Sequence, residues 1–359
     1  MPQNDKDYAV VIGIKDYPAF DTDNPLTGPE NDARAFHDWL ISADGGDVPS
    51  ANVELIISSK FGPPFADAKS ARPIVNEIQI AFENLQDIAA RNEATGDGYR
   101  VGRRLYIYMS GHGFAPTFEE TGLLMANATP ERVGATYHVL GQYTADWFFK
   151  ARCFEEVFLF MDCCREVFPV QGFNKSFKEL NASGAITQVK RFYGLATMWS
   201  GVAKEKDIDG MRRGVFTDAL IKGLKGSACN PNTGNLTALS LKNFIYTAMD
   251  GVSGDDTQLT DPALKPEMKF YPEINEGFLI KKTKVPEFDV KINFPPPAVG
   301  QDVQILDGAD IETVIKSASH APAVWQVELK RGKYLILVVA AGLKKVIHVD
   351  GTGGLDVSF

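Results

Sequence analysis

The chain has 359 residues, 44% of them hydrophobic and 23% charged, with a formal net charge of −9. That is a globular composition, long enough for two or three domains. The acidic balance argues against a nucleic-acid binder, which has to neutralise phosphates with Lys and Arg. Four cysteines (Cys153, Cys163, Cys164, Cys229) form neither a disulfide framework nor CxxC metal spacing, so no metal and no other cofactor is expected. A reducing, cytoplasmic setting is expected from them. The polar start MPQNDKDY has no apolar leader core, and the longest apolar run, YLILVVAAGL, is about half a membrane span, so no membrane association is expected.

In chain order, YAVVIGI (residues 8–14) is a continuous β-branched run and reads as a buried strand. ENDARAFHDWLIS follows with Ala33, Phe36, Trp39 and Leu40 at helical spacing, and Asn31 or Asp32 placed to cap its start. NVELIIS is a second strand. PIVNEIQIAFENLQDIAARN is an amphipathic helix with Ile74, Ile78, Phe82, Leu85 and Ile88 on one face. RRLYIYMSGHG is a third strand entering a glycine-flanked turn, YTADWFFKAR a helix, EEVFLFMDCC a fourth strand and RFYGLATMWSG a fifth. GVFTDALIKGLKG and SLKNFIYTAMDGV are further helices. Strands alternating with helices predict an α/β fold with a mostly parallel sheet flanked by helices. Two stretches break the pattern and read as loops: residues 171–191, and the charged segment KEKDIDGMRR at 204–213.

Beyond about Lys284 the chain turns proline-rich and then runs through short strand-like segments separated by Gly, Asp and Pro. This predicts a first domain over 1–284 and a small all-β sandwich domain over 285–359.

Ligands of open α/β sheets bind at the carboxyl ends of the strands. The third strand delivers Ser110, Gly111, His112 and Gly113 there, and the fourth delivers Asp162, Cys163, Cys164 and Arg165. A histidine and a cysteine converging at one edge are the minimal equipment for thiol nucleophilic catalysis. Side chains two apart on a strand share a face, so Asp162 and Cys164 point together while Cys163 points away and packs as a small side chain.

The segments YAVVIGIKDY, LTGPENDARAF, RLYIYMSGHG, VFLFMDCCR and GVFTDALIKGL, with His112 placed 52 residues before Cys164, resemble the caspase-like cysteine peptidases. Within them, the chain is similar to metacaspases and prokaryotic caspase homologues. The resemblance covers roughly residues 7–280 and implies a caspase-like sheet and a cysteine endopeptidase acting on proteins or peptides. It implies Cys164 as nucleophile, His112 as its acid–base partner, and the N–H groups of Gly113 and Cys164 as the oxyanion hole. The positions lining the metacaspase S1 pocket match Asp32, Ser110 and Asp162, which implies cleavage after Arg or Lys, since carboxylates suit a guanidinium. Arg165 reads as structural, and Met198, Trp199 and Ser200 as candidate groove residues. Two other readings stand beside this one: an acid-specific caspase-type peptidase, and a catalytically silent caspase-fold scaffold.

The resemblance also implies activation by a partner, a ligand or autocleavage. Loop 171–191 reads as a solvated loop or as the site of autocleavage; if autocleavage occurs, the cut is expected in this loop, which holds Lys175, Lys178, Lys190 and Arg191, or after Arg212 or Arg213. Some metacaspases respond to calcium; Asp207 and Asp209 could contribute ligands, but they form no clear site. The β domain is a candidate for docking a regulatory protein partner, and prokaryotic relatives imply a role in antiviral defence or signalling.

Overall fold

In a computed structural model the described residues are 5–20, 26–132, 137–167, 189–250 and 265–359. They form two compact units. One comprises Met1–Ile221 and Met249–Phe278, the other Lys222–Ala248 and Leu279–Phe359.

The first unit is built on β1 (Asp7–Gly13), β2 (Val53–Ile57), β3 (Gly102–Ser110), β7 (Phe154–Asp162), β8 (Lys190–Leu195) and β12 (Glu267–Tyr271), in the order β12-β8-β7-β3-β1-β2. The first five are mutually parallel. β12 closes one edge antiparallel to β8. The helices are α1 (Gly28–Ile41), α2 (Val75–Ala94), α3 (Gly141–Lys150) and α4 (Val215–Lys222). The expected mostly parallel α/β sheet is therefore present. Two antiparallel elements join it: β4 (Gly113–Thr117), β5 (Glu120–Leu124) and β6 (His138–Leu140) in one small sheet, and the pair β9 (Glu205–Ile208) and β10 (Met211–Gly214) in another.

The alternation of side chains along the strands sorts the core into two faces. Ile107, Met109, Leu159 and Met161 cluster with Phe82 and Leu85 of α2 and Phe148 of α3. On the other face Tyr108 stacks on Phe36 of α1 at 4.7 Å, with Phe160 edge-on to Phe36 at 5.7 Å. Asp162 and Ser110 continue the even-numbered series of β7 and β3, so they belong to the α1 face. Cys163 belongs to the α2–α3 face, and it is buried in that cluster.

The charged segment expected as a loop at 204–213 folds instead into the β9–β10 hairpin. Asp209 and Gly210 at its tip both have positive φ, 52° and 78°, the geometry of a two-residue hairpin turn whose twist matches the flanking strands. Lys190 and Arg191 also differ from expectation. They lie on β8, where Lys190 pairs with Glu156 and Arg191 with Asp146. Lys175 and Lys178 lie outside the described residues.

The second unit holds β11 (Asn235–Thr237), α5 (Ala238–Asp250) up to Ala248, β13 (Leu279–Lys282) and two further sheets. One sheet is β17-β14-β20 and the other β16-β15-β18-β19, from β14 (Glu287–Asn293), β15 (Val303–Asp307), β16 (Val314–Ala318), β17 (Val324–Lys330), β18 (Gly332–Val338), β19 (Leu343–Val349) and β20 (Leu355–Ser358). Val290, Ile292, Leu329 and Val357 from the first sheet meet Ile305, Ile336, Val338 and Ile347 from the second in one core. This is the expected all-β sandwich.

Candidate active site

The register of the central sheet assembles the site. β3 and β7 pair so that Ser110 lies opposite Asp162. His112 and Cys164 each follow by two residues, on neighbouring parallel strands that end together. The two segments stay joined beyond the strands: Ala115 N–H donates to Glu166 O at 2.9 Å, and the Gly113 backbone packs against the Cys163 side chain and the Cys164 carbonyl.

His112 is fixed by its main chain. Its N–H donates to Tyr17 Oη at 3.1 Å, and its carbonyl accepts the Leu124 N–H at 2.8 Å. Tyr17 Oη in turn donates to Leu124 O at 3.0 Å. The imidazole packs edge-on to Tyr17 at 4.7 Å and against Phe20 at 5.7 Å. Gly111, just before it, has φ of 152°, and a β-carbon there would run into Tyr17 Oη. A side-chain-free residue is required for the turn to close on Tyr17.

Cys164 is partly exposed whereas Cys163 is buried, as strand alternation requires. Burial pushes the Cys164 thiol up to about 11; the Ala203 N–H aimed at the sulfur opposes that rise, and Glu166, Asp162 and Glu205 add to it. The group rests as a thiol at neutral pH and needs a base beside it to become a nucleophile. Among the described residues, the Cys164 N–H meets no acceptor.

Arg165 points the other way and is 1% exposed. Its guanidinium is held by Glu267 of β12, by Thr197 O at 3.3 Å and by Phe118 O at 2.8 Å. Its main chain exchanges bonds with Gly201 O and Ser200 N–H, at 2.8 and 3.0 Å. The structural reading of Arg165 fits these contacts. Trp199 stays partly exposed and faces the exposed Phe118, ring centroids 6.2 Å apart.

The three residues matched to an S1 pocket lie together. Asp32 falls one turn inside α1, which starts at Gly28, so it is not the helix cap. Its two oxygens accept the Gly214 N–H at 3.1 and 3.0 Å. Asp162 Oδ2 accepts the Thr217 N–H at 3.0 Å and the Thr217 hydroxyl at 2.6 Å. The Thr217 hydroxyl also meets Tyr108 Oη at 2.6 Å. Asp32, Ser110 and Asp162 are all buried. Burial raises both carboxyls. Asp32 goes well above the ordinary aspartate value, with the Asp162 charge adding to the burial, and Asp162 rises to about 6 despite its bonds to Thr217.

A third carboxylate, absent from the sequence-derived set, joins them. Glu205 lies opposite Gly214 in the β9–β10 ladder, so its side chain leaves on the face where Gly214 offers only a hydrogen. Glu205 Oε1 accepts the Gly28 N–H at 3.2 Å, and Oε2 lies 3.4 Å from Arg212 Nε. Its charge acts on Asp32, Asp162 and Cys164 alike. The Asp-Gly turn was the signal that could have found it, because a two-residue turn at 209–210 fixes Glu205 opposite Gly214.

Among the described residues, no group of three or more His, Cys, Asp and Glu side chains is arranged to hold a metal ion, and no helix is long and apolar enough to cross a membrane.

The caspase-domain family model, Peptidase_C14, matches residues 6–276. A protein named "Probable protease" from a Desulfuromonadales bacterium is 31% identical over 228 residues. The match takes in 62% of this chain and 26% of that protein, so the chain spans about a quarter of its relative's length. Two solved structures are also similar, caspase-1 from Spodoptera frugiperda and pro-sf-caspase-1. The first has a TM-score of 0.46 and 12% identity, covering 75% of this chain and 88% of that one. The second, of the pro form, has a TM-score of 0.42 and 11% identity, covering 75% and 92%.

Proposed function

The chain belongs to the caspase family of peptidases, and from that premise we propose a cysteine endopeptidase that cuts proteins after Arg or Lys with Cys164 and His112 as its dyad. The observation that carries the reading is the shared register: His112 and Cys164 leave paired strands at the same distance beyond Ser110 and Asp162.

His112 takes the Cys164 proton, and the thiolate attacks the scissile carbonyl carbon, forming the C–S bond and an oxyanion. The Cys164 and Gly113 N–H groups receive the oxyanion. The imidazolium gives its proton to the leaving amine as the C–N bond breaks. Water, activated by the neutral imidazole, then releases the acyl group and restores the thiol.

Asp32, Asp162 and Glu205 favour a cationic P1 side chain. The acid-specific alternative needs a cation in the pocket. Arg165, the arginine next to the nucleophile, is committed to Glu267 and two carbonyls, which removes it as that cation; Arg213, whose charge acts on Asp32, and Arg212, paired with Glu205, remain beside the acids. Substrate entry has to compete with the Gly214 and Thr217 bonds to the two aspartates. Opening of this segment by a partner, a ligand or a cut is the proposed activation step. Of the expected cut sites on described residues, Arg212 and Arg213 sit on the β9–β10 hairpin, whereas Lys190 and Arg191 are tied into the central sheet. A cytoplasmic role in prokaryotic defence or signalling rests on family analogy alone.

A peptide panel differing only at P1 (Arg, Lys, citrulline, Asp) tests the function. Cleavage after Arg and Lys is expected, lost in Cys164→Ala and in His112→Ala. An arginyl chloromethylketone is expected to label Cys164. Preferred cleavage after Asp overturns the specificity, and unchanged cleavage in Cys164→Ala overturns the mechanism.

A further inference from the structure

Both sheets of the sandwich end in a strand with one unpaired edge. β16 pairs only with β15, and β17 only with β14. The two edges border one groove of about 630 Å³. Ile315 and Lys316 of β16 form one wall, Glu328 and Lys330 of β17 the other, and Arg331 lies at the β17–β18 corner. Leu329, 1% exposed, and Tyr334, whose hydroxyl donates to Lys330 O at 2.8 Å, supply its floor.

Two observations say what fits there. First, β16 (VIKSA) has no buried residue; Val314 is 47% and Ile315 39% exposed. An open strand edge presents a row of N–H and C=O groups that only another extended backbone satisfies fully. Second, the groove carries a small excess of positive charge. Among the described residues, Lys316, Lys330, Arg331 and Lys333 enter no ion pair. The Arg331 guanidinium donates to Cys229 O at 3.3 Å and lies over the Phe244 ring at 5.9 Å. Burial there disfavours its charge, which a carboxylate would offset. Three acids, Glu287, Asp307 and Glu328, also line the groove, one fewer than its cations. Asp307 Oδ1 takes the Ala309 and Asp310 N–H groups, at 2.7 and 3.3 Å, and Glu287 stands opposite Lys330.

We propose that this groove binds an extended peptide segment of a partner protein, which adds a strand to β16, sets apolar side chains against Ile315 and Leu329, and places an acidic residue by Arg331 and Lys333. None of the catalytic or S1 candidates lines this groove, so the proposal does not depend on which residue the peptidase cuts after.

A displayed library of random peptides of about ten residues, selected on the full chain carrying Cys164→Ala, tests this. Enriched sequences are expected to alternate apolar and polar residues and to end in an acid. Binding is expected to weaken by about tenfold or more in Ile315→Asp and in Lys316→Glu. Both residues are exposed, so both variants are expected to keep the wild-type unfolding midpoint. Amides 314–318 are expected to gain hydrogen-exchange protection on binding. Failure to enrich any sequence, or enriched peptides that bind both variants as well as the parent, overturns the proposal. A concentration-dependent dimer abolished by Ile315→Asp also overturns it, because a second copy would then be the occupant of β16.

Discussion

Asp32 and Asp162 approach one another across the backbone of Gly214. A β-carbon at 214 would collide with Asp162 Oδ2 and come within 3.0 Å of Asp32 Oδ2. Two carboxylates in so little water cannot both carry charge cheaply, and both are shifted toward the neutral acid. An ionised carboxylate here is strained, and the proposed preference for a basic P1 side chain rests on a cation relieving that strain.

A stability measurement reads that strain. The Asp162 carboxyl titrates at about 6 in the folded chain against an ordinary 3.8. The folded state therefore binds the proton more tightly, and ionisation destabilises it increasingly from about pH 4 to about 6 and fully above that. Asp162→Asn removes this penalty and keeps an oxygen to accept both Thr217 bonds. At pH 7 it is expected to stabilise the chain by about 2 kcal/mol in urea unfolding, while cleavage after Arg falls by about tenfold or more. Loss of stability instead shows that the carboxylate is not strained.

The same ionisation sets a pH dependence of substrate affinity. As Asp162 loses its proton through about pH 6, KM for an Arg substrate is expected to fall. KM for the citrulline counterpart, neutral and of similar shape, is expected to stay level. Parallel curves for the two substrates mean that no carboxylate reads the charge.

Glu205→Gln separates the third carboxylate from the other two. Its charge disfavours the Cys164 thiolate, so the variant is expected to alkylate with iodoacetamide at lower pH than the parent. Its preference for Arg over citrulline is expected to shrink. The amide retains an oxygen for the Gly28 N–H, so an unchanged alkylation profile removes Glu205 from the site.

Glu267→Gln tests the anchor behind the nucleophile. The Arg165 guanidinium is buried, and neutralising its partner leaves that charge uncompensated, a loss of about 3 kcal/mol. Burial pushes the Glu267 carboxyl up, but bonds from Lys269 and Arg165 outweigh it and hold it low. The pair's contribution is therefore present above the ordinary 4.5 and lost as pH falls below it. The double variant Arg165→Met with Glu267→Gln is expected to cost less than the sum of the single changes. Additive losses show that the two side chains do not act as a pair.

The sequence by itself determined the parallel sheet, the two residues at the ends of its third and fourth strands, and the face each occupies. Hydrophobic runs fix which residues are buried, and strand alternation fixes direction, so Cys163 goes inward and Cys164 outward without any tertiary information. The Asp-Gly turn at 209–210 was equally legible, yet the charge of its flanks concealed a hairpin. Only the tertiary structure decided what long-range packing controls. It brought Gly214 between Asp32 and Asp162, set Glu205 beside them, tied Arg165 to Glu267, added β12 to the sheet edge, and left β16 and β17 open on one side of the sandwich. Each of these joins residues far apart in the chain, and no local periodicity encodes which distant backbone will meet a given side chain.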